Sequence, residues 1–159
     1  MGGVRGASVN DLEILYRRSF HRFVRVAVAI LHDEEHAADA VQEAFATAVR
    51  RRRRFRGDGA LEAWVWRIVV NSARGAAARE LPKGLPEEWS DEQPSAVADI
   101  RAAVVRLPER QRLALFLRYY ADLDYDTIAA ALGISVGTVG ATLNTARANL
   151  RGLLEEVPS

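Results

Sequence analysis

Two histidines in the stretch HDEEH (residues 32–36) have the clearest metal-ligand spacing in the sequence. His32 and His36 stand four residues apart, the separation that puts two zinc ligands on one face of a helix in metal-dependent hydrolases. The second residue is Asp rather than the Glu that serves as general base in those enzymes, and HDEEH is predicted to be a turn. His21 is the only other histidine, and cysteine is absent. The sequence also has no nucleophile–base arrangement and no phosphate loop, so we expect no catalytic residue, metal or cofactor, and no enzyme.

Residues 132–152, LGISVGTVGATLNTARANLRG, complete the spacing of a helix-turn-helix. Ala129 lets two helices cross closely, Gly133 accepts a left-handed turn conformation, and Val139 packs the second helix on the first. A plain helical hairpin with a glycine cap is the alternative. The outward positions of the second helix are Ser135, Gly137, Thr138, Gly140, Ala141, Asn144 and Thr145.

This second helix has little of the charge that DNA-reading helices use. No charged residue stands between Gly133 and Ala146, and only Arg147 and Arg151 follow, late in the helix. Most helices that enter a major groove carry arginine or lysine for phosphates and guanines. Asn144 could read adenine, and the Ser and Thr side chains could hold phosphates. The motif is present, but its second helix offers few side chains that could bind phosphates or read bases.

The elements that carry these residues are all predicted to be helices. Apolar residues recur at three-and-four spacing, and no strand pattern competes. The predicted helices span about residues 10–31, 34–54, 60–80, 108–120 and 126–132, with a last one that follows Ser135; Asp124 or Asp126 caps the fifth. With 49% hydrophobic residues the 159-residue chain can form a core, and no apolar run approaches the roughly 18 residues of a membrane span, so we expect no membrane insertion.

Charge and proline content divide the chain into segments. Residues 1–80 hold 14 Arg against 10 acidic residues, a balance of +4. Residues 81–99 hold three of the five prolines and one Lys against five acidic residues, a balance of −4. We therefore predict a disordered N-terminus (1–9), a helical domain (10–80), an extended acidic linker (81–99) and a second helical domain (100–156).

Three blocks of the sequence resemble the extracytoplasmic-function (ECF) sigma factors, group IV of the bacterial sigma-70 family. The blocks occur in the same order as in that family. The blocks are DAVQEAF (residues 39–45), RFRGDGALEAWVWRIVVN (54–71) and LPERQRLALFLRYYADLDYDTIAAALGISVGTV (107–139). The resemblance implies an all-α fold in which sigma region 2 (10–80) binds core polymerase and melts the promoter, while sigma region 4 (100–156) binds the upstream promoter element.

The function that the resemblance implies is that of an RNA polymerase sigma factor, which directs promoter-specific transcription initiation in the bacterial cytoplasm, at the nucleoid. The implied partners are core RNA polymerase, promoter DNA and an anti-sigma factor. The implied contacts on polymerase are the clamp helices of its largest subunit and its flap. An unrelated helix-turn-helix repressor is disfavoured because it would not need the first domain.

The first block carries a polar patch made of Asp39, Gln42 and Glu43, on adjacent turns of one helix beside the apolar Val41 and Phe45. Without the resemblance, this patch would be an ordinary solvated helix face. With it, the three residues are predicted to dock on the polymerase clamp helices, whose basic character their acidity suits.

The second block is implied to open the promoter, which requires a base to be flipped out of the stack and held in a pocket. By resemblance, Phe55 and the loop to Leu61 form the pocket and Asn71 reads the base. Two residues apart on a helix, Trp64 and Trp66 point to different sides, and we expect Trp64 in the core and Trp66 partly exposed. The residues predicted to contact DNA here are Arg53, Arg54, Phe55, Arg56, Trp66, Arg67, Asn71 and Arg74.

The arginine run at residues 50–54 sweeps more than one helical turn, so its side chains cannot all follow one line of phosphates. Part of the run complements the negative end of the preceding helix. We expect two or three of the five arginines to reach the non-template strand and leave open whether the others are only solvated.

In the helix-turn-helix, the sequence departs from the family that it resembles. Relatives usually carry a basic residue after the valine, then Ser-Arg, then an aromatic or basic pair, and these positions are here Gly140, Ala141, Thr142, Asn144 and Thr145. The residues predicted to contact DNA are Ser135, Gly137, Thr138, Gly140, Ala141, Asn144 and Arg147. This departure keeps an alternative open: a degenerate sigma-like regulator that retains core or anti-sigma binding but reads the upstream element weakly or needs a partner.

Overall fold

The computed structural model describes residues 6–57, 60–80 and 96–156, which form seven α-helices and one short 3-10 helix. The α-helices are α1 (Val9–Leu31), α2 (Glu34–Arg50), α3 (Leu61–Glu80), α4 (Ala96–Val105), α5 (Glu109–Tyr119), α6 (Tyr125–Leu132) and α7 (Val136–Glu155); the 3-10 helix spans Arg52–Arg54. No strand occurs within these ranges, and the all-α prediction is confirmed. The predicted linker lies outside the described residues as far as residue 95.

Side-chain caps set where four of the helices begin. Ser8, Asp33, Asp124 and Ser135 stand just before α1, α2, α6 and α7, and each accepts a hydrogen bond from a backbone amide two or three residues later, at 2.8–3.4 Å. Such caps satisfy amide groups that helix geometry leaves unpaired. Of the two predicted caps for α6, the structure uses Asp124 rather than Asp126.

The HDEEH stretch forms the junction between α1 and α2, as the predicted turn requires. His32 ends α1 in the left-handed conformation, with φ 61°, and its amide donates to the Val28 carbonyl at 2.6 Å. Asp33 caps α2 and also hydrogen-bonds the ring of His36. Both histidines therefore have structural positions at a helix–helix turn. In the described part of the chain, no group of three or more His, Cys, Asp or Glu side chains could hold a metal ion.

We expect the protein to lose stability as the pH falls below 6.5, with His32 responsible for part of the loss. Burial, and next the positive charge of Arg112, lower the pKa of His32 from its usual 6.5. The unfolded chain therefore takes up a proton at a higher pH than the folded chain. The neutral form stabilises the fold above pH 6.5, and this contribution disappears as the pH falls from 6.5 toward the folded pKa.

Denaturant unfolding from pH 7 to about 5.5, a range above the titration of ordinary carboxyl groups, measures this contribution. His32→Asn should flatten the pH dependence, because asparagine tolerates a positive φ and does not titrate. His21→Asn, on the exposed face of α1, is the control and should keep the wild-type dependence. Identical pH profiles for wild type and His32→Asn would contradict the assignment.

Helices α1, α2 and α3 form the first unit (residues 6–80) around an aromatic core. The ring of Phe23, which is fully buried, lies 4.4 Å from that of Trp66 and 5.3 Å from that of Phe45. Tyr16 contacts Phe45 edge-on at 5.0 Å. These separations lie in the range of favourable aromatic pairs, so this cluster fixes how the three helices pack.

The predicted exposure of the two α3 tryptophans is wrong. Trp66 is 0% exposed, and its indole Nε1 donates to Glu62 Oε1 at 3.3 Å. Trp64 is only partly buried, and its ring lies 5.6 Å from that of Phe55. The buried stripe of α3 consists of Val65, Trp66, Val69, Val70 and Ala73. Trp66 belongs to this stripe and has no exposed ring with which to contact DNA.

Helices α4 to α7 form the second unit (residues 96–156), which contains the helix-turn-helix. Ala129 is 7% and Val139 0% exposed where α6 crosses α7, and Gly133 ends α6 with φ 67°. Ile128 and Leu143 fill the seam between the two helices. The predicted helix-turn-helix is therefore present, with each of its three key residues in the expected place.

Three local predictions differ from the structure. Helix α2 ends at Arg50 rather than at the predicted Arg54, because the arginine run turns into a 3-10 helix. Residues 6–9 were expected to be disordered, yet the Ala7 amide donates to the Arg52 carbonyl at 2.8 Å and α1 begins at Val9; residues 1–5 lie outside the described ranges. The sequence does not predict helix α4, because its first residues belong to the proline-rich acidic segment (81–99) that was assigned to the linker.

The two units lie directly against each other, with α3 on α6 and α1 on α5. Among the described residues, no single helix is long and apolar enough to cross a membrane. Only α6 and α7 taken together reach that length and composition, and these two helices meet at 95°.

Candidate polymerase and nucleic-acid interfaces

The predicted polymerase-docking residues form one exposed patch on α2. Asp39, Gln42 and Glu43 are all exposed, while Val41 and Phe45, interleaved with them, are buried in the core of the first unit. Glu43 pairs with Arg50 at 3.4 Å, and both side chains are more than 60% exposed. An ion pair in that much water is weak, so Glu43 can exchange Arg50 for a partner's cation.

The arginine run is divided between helix-end contacts and exposed positions. Arg50 donates to the Thr47 hydroxyl at 3.0 Å, and Arg52 donates to the Val49 carbonyl at 2.8 Å. These contacts satisfy groups at the C-terminal end of α2. Arg53 and Arg54 are exposed beyond it. The two arginines predicted to contact DNA are thus those farthest from the helix-end contacts.

Phe55 lines a cavity of about 720 Å³ between the two units. The first unit contributes Arg54, Phe55, Arg56, Ala60, Ala63, Trp64 and Arg67 to its wall, and the second unit contributes Asp124, Asp126, Thr127 and Ala130. Hydrogen bonds from Thr127 lower the pKa of Asp124, so this carboxylate stays charged well below neutral pH. Residues 58 and 59 of the predicted loop lie outside the described ranges.

The polar residues predicted to contact DNA along α3 are exposed, and two of them lie next to the second unit. Arg74 Nε pairs with Glu109 Oε1 at 2.5 Å. Arg67 lies beside Gly133, where an added Cβ would stand 3.7 Å from Arg67 Nη2. Asn71 lies on the exposed side of the same helix.

Helix α7 presents small, neutral groups at its N-terminal end. Gly137, Ala141, Asn144 and Thr145 are exposed, whereas Thr138 and Gly140 are partly buried. Ser135 and Thr138 hydrogen-bond each other at 2.7 Å. The predicted DNA-contacting residues therefore share one surface that offers hydroxyl and amide groups, with the cation confined to Arg147.

Arg147 is held by aromatic side chains that the sequence analysis did not single out. Its Nε donates to the Tyr119 hydroxyl at 2.9 Å, and its guanidinium lies 5.7 Å from the centre of that ring. A weaker hydrogen bond joins it to Asn144 Oδ1 at 3.4 Å. The bond to Tyr119, followed by one to Tyr125, raises the pKa of Arg147 above its usual value. The one cation on this surface is therefore oriented as well as charged.

Gly140→Ala is expected to raise the free energy of unfolding by about 0.5–1 kcal/mol, because alanine is favoured over glycine inside a helix. The added Cβ would lie 3.7 Å from Tyr125 Cε2, an ordinary van der Waals distance. Thermal or denaturant unfolding measures the change. Gly133→Ala is the opposing control: at φ 67° it should destabilise the protein. A stability loss in Gly140→Ala would show that the glycine has a packing role.

Comparisons with known proteins place this arrangement in a family. Residues 15–80 match the family model for sigma-70 region 2, and residues 98–150 match the model for sigma-70 region 4. The chain is 32% identical to the RNA polymerase sigma-H factor of Pseudomonas aeruginosa in an alignment that covers 85% of this chain and 81% of that protein. It is 31% identical to the ECF RNA polymerase sigma factor SigM of Mycobacterium tuberculosis, over 88% and 75% of the two chains. The chain belongs to the ECF sigma factors. This confirms the family predicted from the sequence.

Two solved structures share the fold of this sigma factor. CnrH, solved in complex with the cytosolic domain of CnrY, has a TM-score of 0.75 and 23% sequence identity, covering 96% of this chain and 92% of that one. The sigma factor RpoE of Bartonella quintana, solved with the anti-sigma factor NepR, has a TM-score of 0.70 and 21% identity, covering 94% and 100%. The two-domain, region 2 and region 4 architecture is the one predicted.

The residues that join the two units of this sigma factor could not be recognised from the sequence. Arg22, on α1, donates through Nε to the Ala121 carbonyl at 2.8 Å and pairs through Nη1 with Glu62 at 3.2 Å. Arg22 and Ala121 are 99 positions apart in the sequence, and no local pattern links them. Tyr119 gave no signal in the sequence either, because single exposed aromatic side chains are normal on a protein surface.

Proposed function

We propose that this sigma factor docks on core RNA polymerase through the α2 patch, opens the promoter with the face around Phe55 and Asn71, and contacts the upstream promoter element through α7. The observation that carries the proposal is the joint exposure of Asp39, Gln42 and Glu43 on one rigid helix. Because α2 is fixed by packing on buried aromatic side chains, its exposed polar groups lose little conformational entropy on binding.

Promoter opening is assigned to the start of α3 and the segment before it. Phe55, partly buried against Trp64, supplies an aromatic surface on which an unpaired base can stack. Arg54, Arg56 and Arg67 line the same cavity and can neutralise strand phosphates. This combination of an aromatic platform and a basic wall is what binding of a single strand requires.

Upstream contact is assigned to α7, with Arg147 as its main cation. The few charged groups predict a weak contact and a shallow salt dependence. Attachment to polymerase raises the local concentration of α7 at the DNA, so a weak contact can suffice. The neutral surface from Ser135 to Thr145 also favours a second candidate function, a sigma-like regulator that binds core polymerase but depends on a partner to choose promoters.

We also propose an anti-sigma factor as a third partner. The described surface has a groove of about 490 Å³ between the two units, with the apolar side chains of Val28, Val104 and Phe116 in its wall. Such a groove can receive the apolar side of a partner helix. Co-purification of the tagged chain from its native cells, with the captured proteins identified by mass spectrometry, tests this partner, and a chain that elutes only with polymerase subunits would contradict it.

Run-off transcription with core enzyme on genomic fragments tests the main function. We expect discrete transcripts that depend on added sigma factor and start at a small set of promoters. If the sigma factor binds core enzyme but stimulates initiation on none of the fragments, the main function is contradicted and the regulator is supported.

A further inference from the structure

The side chain of Arg147 has hydrogen-bond partners but no negatively charged one within the residues that the structure describes. Its Nε donates to the Tyr119 hydroxyl at 2.9 Å, its Nη1 donates to Asn144 Oδ1 at 3.4 Å, and Tyr125 takes part in a further hydrogen bond. Tyrosine hydroxyls are neutral below about pH 10, and an amide does not titrate. The positive charge of Arg147 is therefore not balanced by the groups that hold it.

Two other exposed arginines already have a carboxylate as their partner. Arg17 pairs with Glu13 at 2.8 Å, and Arg74 pairs with Glu109 at 2.5 Å. Before either of them binds a phosphate, it has to give up an anion. Arg147 gives up none, and it is already oriented by the groups around it, so binding an anion costs it little conformational entropy.

The Tyr119 hydroxyl is a second donor at the same place. Its oxygen accepts the Nε–H of Arg147, so its own proton is not used in that bond. Tyr119 is 61% exposed, and its hydroxyl donates more strongly beside a cation, because hydrogen bonds in a chain polarise one another. The guanidinium has further N–H groups besides Nε. One anion can therefore accept hydrogen bonds from both residues at once.

The pair lies at the border of the surface of α7 that is assigned to DNA. Ala141 and Asn144 are exposed on that surface, whereas Arg147 is partly buried beside the ring of Tyr119, at the end of α5. An α-helix nearly fills the major groove, which is about 12 Å wide, so a phosphate backbone runs along each side of the helix. Groups at the border of the exposed surface therefore meet phosphates, while groups at its centre meet base edges.

We infer that the Tyr119 hydroxyl and the Arg147 guanidinium together bind one phosphate of duplex DNA. Tyr119, which belongs to α5, then adds to the few DNA contacts that the neutral residues of α7 offer, and it also positions Arg147 for its own contact. The inference rests on the assignment of upstream DNA contact to α7 under the proposed function. Phosphate contacts carry no direct sequence information, so a duplex of random sequence is a suitable probe.

A neutral donor and a cation differ in how salt affects their contribution. Each cation that neutralises a phosphate releases counterions and steepens the fall of log K with log salt by about 0.9, whereas a neutral hydroxyl releases none. Removing the hydroxyl should therefore weaken binding and leave the slope unchanged. Removing the charge of Arg147 should weaken binding and flatten the slope by about 0.9. A tyrosine that only supported the local fold would not produce this separation.

Tyr119→Phe removes the hydroxyl and keeps the ring beside Arg147. The matched control is Tyr120→Phe, the same substitution at the next residue, which is 49% exposed and stacks on Phe116 at 5.3 Å. Fluorescence anisotropy of a labelled random duplex of about two helical turns measures the affinity of the full chain over a series of low salt concentrations. We expect Tyr119→Phe to bind about fivefold more weakly than wild type, which is the effect of one hydrogen bond. Tyr120→Phe should match wild type, and Arg147→Gln should show the flatter slope.

A second measurement needs no change at Tyr119. In nuclear magnetic resonance spectra of the isotope-labelled full chain, the Nε–H signal of Arg147 is identified by its absence from Arg147→Gln. This signal should shift as unlabelled duplex is added. Inorganic phosphate at the same total phosphate concentration should shift it far less, because a lone ion lacks the neighbouring contacts that a duplex makes.

The outcomes separate this phosphate site from the proposed function. The inference is overturned if Tyr119→Phe binds the duplex as tightly as wild type. It is also overturned if Tyr119→Phe flattens the salt slope as much as Arg147→Gln does, since the hydroxyl then only supports the arginine. An Arg147 signal that duplex leaves unmoved, or that inorganic phosphate moves equally, contradicts the site as well. Run-off transcription is independent of this test: selective weakening by Tyr119→Phe without any initiation would leave the phosphate site intact and contradict the proposed function.

Discussion

Replacing Trp66 with alanine is expected to lower the free energy of unfolding by about 3–5 kcal/mol, the range for aromatic side chains removed from a core. Trp66 is 0% exposed, and its ring lies 4.4 Å from that of Phe23. The substitution leaves a cavity at the centre of the first unit and removes the indole donor to Glu62. A loss of this size is a large share of the stability of a small protein.

Helical circular dichroism during denaturant unfolding measures this loss without depending on tryptophan fluorescence. Trp64→Ala is the matched control, because Trp64 lies two positions away on the same helix and is only partly buried. We expect it to lose about 1–2 kcal/mol. A loss for Trp64→Ala that equals or exceeds the loss for Trp66→Ala would contradict the packing described here.

Replacing Asp39 and Glu43 together with lysine is expected to weaken binding to core polymerase by about 100-fold, equivalent to about 2.8 kcal/mol. The substitution turns an acidic docking patch into a basic one, so attraction to a basic partner surface becomes repulsion. Both positions are exposed on α2, and lysine is a good helix former, so the fold should persist.

Equilibrium binding of labelled sigma factor to core enzyme measures the effect. The control is Glu155→Lys with Glu156→Lys, which makes the same change in net charge at exposed positions at the end of α7. It should bind core enzyme within about twofold of wild type, because the change lies outside the docking patch. Equal weakening by both double variants would mean that overall charge, rather than the α2 patch, governs binding.

Local signals in the sequence predicted the starts of α6 and α7 and the helix-turn-helix that these two helices form. Ser135 and Gly133 determine the ends of α7 and α6 through caps that involve residues at most four positions away. Ala129 and Val139 lie where their spacing predicts. Such features depend on nearby backbone geometry, which a sequence displays directly.

The exposure of the two tryptophans of α3 could not be predicted from local sequence patterns. Periodicity told us that Trp64 and Trp66 face different sides, but not which side meets α1 and α2. Phe23 decides it, because its ring lies on Trp66. The choice depends on a partner about 40 residues away in the sequence, and no pattern within one helix contains it.

The contact between the two units was beyond prediction for the same reason. Arg22 is one of many arginines, and its acceptor is a backbone carbonyl at Ala121, which carries no side-chain signal. The acidic residues at 124 and 126 were considered as helix caps, and only the folded arrangement puts them opposite Arg54, Arg56 and Arg67. The candidate DNA-opening residues could be named from resemblance, but not the fact that some of them share a cavity wall with the start of α6.

Permanganate footprinting of a promoter bound by core enzyme and this sigma factor tests most directly whether the α3 face opens DNA. Phe55→Ala and Asn71→Ala are compared with wild type at concentrations where all three are fully bound to core enzyme. We predict that thymines near the start site become reactive with wild type and react several-fold less with either variant. Undiminished reactivity with both variants would contradict the assignment of promoter opening to this face.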